Sequence, residues 1–125
     1  DLLLKSAPKL FKETCLINWN KEAKQVYDFV RGLSPVPGAW CEIVRNDEKP
    51  VVMKIFRTAK TDKPLTAKDQ PGDICTEGQH LLIAAADKWL EIVELQLAGK
   101  KRMMAKDFLN GYDIKGKRVF MNFEF

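Results

Sequence analysis

At 125 residues, with 46% hydrophobic, 30% charged and 10% aromatic side chains, the chain has the size of one domain and a globular composition, which excludes intrinsic disorder. Its longest apolar runs, residues 2–4 and 81–86, fall far short of the ~20 residues needed to cross a bilayer as a helix, and nothing apolar follows a basic start as a secretory signal would. The formal charge of +4 is uneven: residues 1–34 carry net +2, 35–77 are neutral, 78–98 carry −2 and 99–125 carry +4.

In chain order, residues 1–19 read as an extended, weakly structured lead-in bearing Lys5, Lys9, Lys12 and Pro8. The spacing of Ala23, Val26, Tyr27, Val30 and Leu33 predicts an amphipathic helix over residues 20–33, with Asn20 as its N-cap. Gly32 and the Ser34-Pro35-Val36-Pro37-Gly38 run end it. Strands are predicted at residues 39–45 and 51–57, separated by the turn-prone Asn46-Asp47-Glu48. Residues 58–70, polar and rich in Lys, Thr and Asp, read as a long loop. Strands follow at 74–76, 81–86 and 89–95, the last two joined by a tight Asp87-Lys88 turn. A short helix at 105–110 is expected to end at Gly111 as its C-cap, and a last strand at 118–123. The pattern is mostly β, with one longer and one short helix, and five or six short strands of this spacing suggest a small OB-like barrel.

Catalytic patterns are sparse. His80, the one histidine, stands at a strand start, preceded by Gln79, and reads as a surface residue. Cys15, Cys41 and Cys75 lie 26 and 34 residues apart. That fits neither a metal site nor a closed disulfide set, and favours a reducing compartment. The glycines are scattered turn residues with no phosphate-binding pattern. Asp47-Glu48 and the pair Glu91/Glu94 read as solvated, and Trp40 and Phe56 as core rather than stacking platforms. The densest signal is Gln96-Leu97-Ala98-Gly99-Lys100-Lys101-Arg102. Three consecutive cations behind a glycine, on a loop leaving a strand, can reach phosphates without reading sequence. Lys106, Lys115, Lys117 and Arg118 add to this; the plain alternative is an exposed loop that is merely basic.

Several stretches resemble the methionyl-tRNA formyltransferases. Ala7-Pro8-Lys9-Leu10-Phe11-Lys12-Glu13 and Ile17-Asn18-Trp19 are similar to the segment that follows their catalytic domain. Arg31-Gly32-Leu33-Ser34-Pro35 with Pro37-Gly38-Ala39-Trp40 is similar to the helix exit and first strand of their C-terminal domain. Pro71-Gly72-Asp73-Ile74, the block from Leu95 to Met103 and the stretch from Ala105 to Gly111 follow in the same order. The resemblance implies a linker at residues 1–19 from an absent N-terminal catalytic domain, then an OB-like tRNA-binding domain at 20–125. The start at Asp1 rather than methionine reads as a piece of a longer chain.

The family's reaction moves a formyl group from 10-formyltetrahydrofolate to initiator methionyl-tRNA, using Asn, His and Asp of a Rossmann-like N-terminal domain with a His-x-Ser-x-Leu-Pro motif. No such motif occurs here, so the resemblance implies no catalytic, cofactor or metal residue in this piece. It implies nucleic-acid contacts by Lys9, Lys12, Lys100, Lys101 and Arg102, with Lys106, Lys117 and Arg118 added on charge. The implied partners are initiator methionyl-tRNA and the catalytic domain of the same chain, in the cytoplasm and away from membranes. Departures are Asn18 where the family usually has Asp, Met104 where Ser often caps the short helix, and Tyr112-Asp113 where some members carry arginine. Two other readings are the corresponding domain of a folate-dependent formyltransferase that does not act on RNA, and a stand-alone OB-type binder of single-stranded nucleic acid.

Overall fold

The apolar stripe of the first predicted helix is realised in α1 (Ala23–Leu33), with Ala23, Val26 and Val30 buried. A computed structural model describes residues 15–34, 38–44, 51–111, 114 and 118–119. Asn20 is not the cap: its own N–H donates to Asn18 Oδ1 at 2.9 Å. The helix begins three residues later, where Glu22 N–H donates to Gln25 Oε1 at 3.1 Å and Ala23 N–H donates to Asp87 Oδ1 at 2.8 Å. A distant turn therefore satisfies a donor that local sequence was expected to satisfy. At the other end Ser34 N–H returns to Val30 O and Gly38 N–H to Leu33 O.

Among the described residues seven strands follow: β1 (Ala39–Val44), β2 (Val51–Pro64), β3 (Ile74–Glu77), β4 (His80–Ala84), β5 (Lys88–Leu97), β6 (Met103–Met104) and β7 (Arg118–Val119). The second helix, α2 (Ala105–Gly111), lies between the last two. The sheet is antiparallel in order β3-β4-β5-β2-β1-β7, with β6 on β5. Val119 N–H donates to Gly72 O at 2.9 Å, and Gly72 N–H to Ala84 O at 2.8 Å. The β7 edge thus reaches back to the turn before β3, and the sheet wraps in a barrel-like way although its ladder stays open.

Three expectations change. Residues 58–64 are not loop: they continue β2, with Thr58 opposite Ile92, Lys60 opposite Leu90 and Pro64 opposite Lys88. Only Thr58 of this stretch is buried, so a strand of polar residues carried no apolar signature. Its β5 partner and a 2.6 Å bond from Thr61 Oγ1 to Trp89 O hold it. Nor are residues 15–19 weakly structured. Cys15, Ile17 and Trp19 are buried in alternation, Ile17 N–H donates to Trp40 O at 2.9 Å, and Trp40 N–H to Cys15 O at 3.1 Å. The second helix ends at Gly111 as expected, but Gly111 is its last residue rather than the cap beyond it, and has no positive φ. The expected last strand is seen as β7; its residues 120–123 lie outside the described residues.

The main core gathers Ile17 and Trp19, the α1 stripe, Ile43, Met53, Ile55, Leu81, Ile83, Leu90, Ile92 and Leu95, and Phe108 of α2. A smaller cluster of Leu82, Ala84 and Trp89 is covered by Leu65 and Cys75.

Candidate nucleic-acid interface

The basic loop is built by the end of β5. Leu97 is buried and anchors the strand, and Ala98 N–H donates to Val52 O at 2.9 Å. Gly99 then turns the chain with φ 79°, a left-handed conformation that side chains disfavour. Lys100 N–H closes the turn on Leu97 O, and the Gln96 amide donates to Lys100 O, both at 2.9 Å. The turn is therefore tied at both ends, and Lys100, Lys101 and Arg102 are all exposed on it.

Arg102 folds back. Its Nε donates to Glu94 Oε2 at 2.7 Å, and its guanidinium carbon lies 4.3 Å from the centre of the Phe56 ring. Glu94 Oε1 also faces Arg57 Nε at 3.8 Å, while Arg57 Nη2 lies 3.8 Å from Met104 Sδ. The Arg102 hydrogen bond above all, helped by the charges of Arg102 and Arg57, holds the Glu94 carboxyl below the usual carboxylate range against the opposing effect of burial. Arg57 stands directly opposite Glu94 in the β2–β5 ladder, with a register shift on each side. Such bulges re-aim side chains.

Beyond Phe56 and Arg57 lies an open depression of about 300 Å³, lined also by Tyr27, Val30, Arg31, Ser34 and Thr58. Lys60 sits 4.9 Å above the Tyr27 ring. Arg31 is paired with Asp28 at 3.5 Å, and Asp28 also accepts from Lys24 at 3.0 Å.

Lys106 is exposed in the first turn of α2 and lines a separate depression of about 160 Å³ with Gln79, His80, Glu91 and Met104. His80 is the exposed residue at a strand start that the sequence predicts, and its Nδ1 lies 2.7 Å from Glu91 Oε2 across the β4–β5 hairpin. That hydrogen bond, with the carboxylate charge, raises the imidazole above its ordinary value of 6.5. Glu91 and Glu94, read as solvated, are each paired. Phe56 is core as expected, and Trp40 is half-buried.

The structure thus brings Lys100, Lys101 and Arg102 together on one turn. Arg118 sits in β7, separated in the ladder from β6 by β5, β2 and β1. Lys9, Lys12 and Lys117 lie outside the described residues. Sequence reading missed Arg57, Glu94 and Phe56 as one group, since 37 residues separate the two charges and only strand register joins them. Among the described residues no group of three or more His, Cys, Asp or Glu is placed to hold a metal ion. Cys41 and Cys75 are free thiols, and burial pushes the Cys41 thiol up to about 12. No described helix is long and apolar enough to cross a membrane.

The described residues thus form an open, wrapped antiparallel sheet with two helices, and a basic turn leaves the end of β5. The chain belongs to the family described as the formyl transferase C-terminal domain, whose pattern matches residues 9–113. It is 46% identical over 112 residues to a methionyl-tRNA formyltransferase of Bacteroides fragilis, covering 89% of this chain and 34% of that protein. It is likewise 46% identical over 110 residues to one of Parabacteroides distasonis, covering 87% and 33%. A methionyl-tRNA formyltransferase of Porphyromonas gingivalis is 37% identical over 106 residues, covering 85% and 33%. The chain spans about a third of the length of these relatives.

Proposed function

We propose that this chain is the tRNA-holding C-terminal domain of a cytoplasmic methionyl-tRNA formyltransferase. In this reading it binds the initiator tRNA through phosphate contacts and orients its acceptor end toward a Rossmann-like catalytic domain of the same protein. That domain, with 10-formyltetrahydrofolate as co-substrate, supplies the bond-making chemistry. The present chain supplies binding energy and orientation, which turn an encounter between two large molecules into a positioned reaction. The observation that carries the reading is the tied, exposed turn of Lys100, Lys101 and Arg102, on a chain matched for 89% of its length to an enzyme whose name contains methionyl-tRNA. Lys106 extends the cationic surface, and Lys9, Lys12, Lys117 and Arg118 are assigned to it on charge and resemblance.

The test is a titration of this chain with initiator tRNA across a range of salt, with single-stranded RNA of equal length as competitor. Each phosphate neutralised lowers the slope of log affinity against log salt by about 0.7–0.9. Three contacts from the turn therefore give a slope of about −2 to −3. Replacing Lys100 and Lys101 together by Glu should weaken tRNA binding and flatten the slope by roughly 1.5–2. A double variant that binds as tightly as the parent at low salt removes the turn from the interface. Equal affinity for tRNA and single-stranded RNA points to a generic single-strand binder. No binding at low salt points to a formyltransferase domain that does not use RNA.

A further inference from the structure

We propose that Glu94 is a positioning residue for RNA: an acidic side chain on the basic face that holds Arg57 and Arg102 as a preset two-guanidinium fork for phosphate. This rests on the RNA-binding reading above and deepens it.

The construction is specific. One carboxylate serves two arginines with separate oxygens, Oε2 to Arg102 Nε at 2.7 Å and Oε1 toward Arg57 Nε at 3.8 Å. Arg102 is hydrogen-bonded through Nε, while Arg57 faces the carboxylate at ion-pair distance and turns Nη2 to Met104 Sδ. A guanidinium carries five N–H donors in a rigid fork, so the terminal amino groups of Arg102 stay available to an incoming phosphate. The plane of Arg102 is fixed a second time by the Phe56 ring, 4.3 Å from its guanidinium carbon, a stacking that lysine does not reproduce. Glu94 is the most covered of the three charges, with its side chain 21% exposed against 60% for Arg57 and 43% for Arg102. The anion is thus recessed while the cations face outward. The two register shifts flanking Arg57 bring it opposite Glu94, and an open depression lies on the Phe56 and Arg57 side of the group.

A surface ion pair of this kind contributes little to stability. On charge alone, a carboxylate among the cations of an RNA-binding face weakens binding. Its compensating effect is order: an arginine already held in one rotamer loses less freedom when it meets a phosphate. The two effects have opposite signs, so they can be separated.

The experiment uses this 125-residue chain and initiator tRNA, titrated across salt for the parent, Glu94→Ala, Glu94→Gln, Arg102→Lys and the double variant Glu94→Ala/Arg102→Lys. Loss of preset order in two arginines predicts that Glu94→Ala weakens binding by about three- to tenfold although it raises the net charge by one. Glu94→Gln keeps an oxygen acceptor and should recover part of that loss. Arg102→Lys should weaken binding in the parent but add little once Glu94 is gone, a coupling that a purely structural role for Glu94 does not produce. The Arg102 Nε–H proton resonance should be resolved in the parent and lost or shifted in Glu94→Ala. If Glu94→Ala binds tRNA as tightly as the parent or more tightly, the fork is overturned while RNA binding stands. If the parent chain does not bind tRNA, both readings fall. Should Glu94→Ala not fold, Arg102→Lys decides: unchanged affinity overturns the proposal, and a loss that Glu94→Gln shares supports it.

Discussion

The carboxylate of Asp87, in the turn between β4 and β5, accepts the backbone N–H of Ala23 at 2.8 Å, so the hairpin caps a helix 64 residues earlier in the chain. The same turn is tied to the helix approach a second time, through Ala86 N–H to Lys21 O at 2.8 Å. Removing a side-chain N-cap costs about 1 kcal/mol. Asp87→Ala should therefore lower the melting temperature by about 4 °C in a domain of this size. Asn20→Ala, at the position that local sequence favours as the cap, should change it by less than half as much, since Asn20 donates only its backbone N–H to Asn18 Oδ1, a bond the substitution leaves in place. Equal effects of the two variants in thermal unfolding would show that the distant cap is not used.

Ile17 and Trp19 tie the segment before α1 into the main core, with 1% and 0% exposure. Truncating a fully buried aliphatic side chain costs about 2–5 kcal/mol. Ile17→Ala should move the urea midpoint of unfolding substantially at unchanged slope, whereas Asn20→Ala leaves it in place. A small shift for Ile17→Ala would mean that this segment can leave the barrel without loss of the core.

The His80–Glu91 pair makes stability depend on pH. Glu91 raises the His80 imidazole above its ordinary value of 6.5 in the folded protein. A raised folded value means that the contribution is fully present below the unfolded value, so long as Glu91 is ionised. It is lost as pH rises through the raised folded value. The His80 ring proton, followed by NMR, should titrate with a midpoint above 6.5, and Glu91→Gln should return it toward that value. The stability difference between the parent and Glu91→Gln should be visible on the acid side of the transition and vanish on the alkaline side. Because His80 is largely exposed, salt should diminish the effect.

The elements that could be read from sequence were those whose periodicity is written in apolar residues. The Ala23, Val26 and Val30 stripe gives α1, and alternating or continuous apolar runs give β1, β4 and β5. The outer half of β2 was hidden because it is held by pairing of Ala59, Lys60 and Pro64 to β5 and by the Thr61 hydroxyl on Trp89 O rather than by burial. The Cys15, Ile17 and Trp19 alternation was readable in principle, but the lysines before it set an extended reading for the whole lead-in. Within the candidate interface, Lys100, Lys101 and Arg102 were legible because they are adjacent in sequence. Glu94 and Arg57 were not, because a bulged register between strands is invisible to a pattern read along one chain.

The basic turn depends on backbone handedness at one position. Gly99 has φ 79°, and a Cβ placed there meets no atom within 4 Å. Gly99→Ala thus pays only the left-handed backbone penalty, about 1–2 kcal/mol, with no steric clash. Gly111 has equally open surroundings and no positive φ, so Gly111→Ala in the last residue of α2 should be neutral or slightly stabilising. Gly99→Asn should recover part of the loss, because asparagine tolerates the left-handed region better than alanine. The turn also fixes where Lys100 and Lys101 project, through the Lys100 N–H to Leu97 O bond and the Gln96 amide on Lys100 O. Gly99→Ala should therefore lower tRNA affinity beyond what its stability loss explains, at a temperature where the variant is fully folded. Urea unfolding and a low-salt tRNA titration on the same samples separate the two effects. A variant that is destabilised yet binds tRNA like the parent would show that the lysines act as mobile charges, indifferent to the turn that carries them.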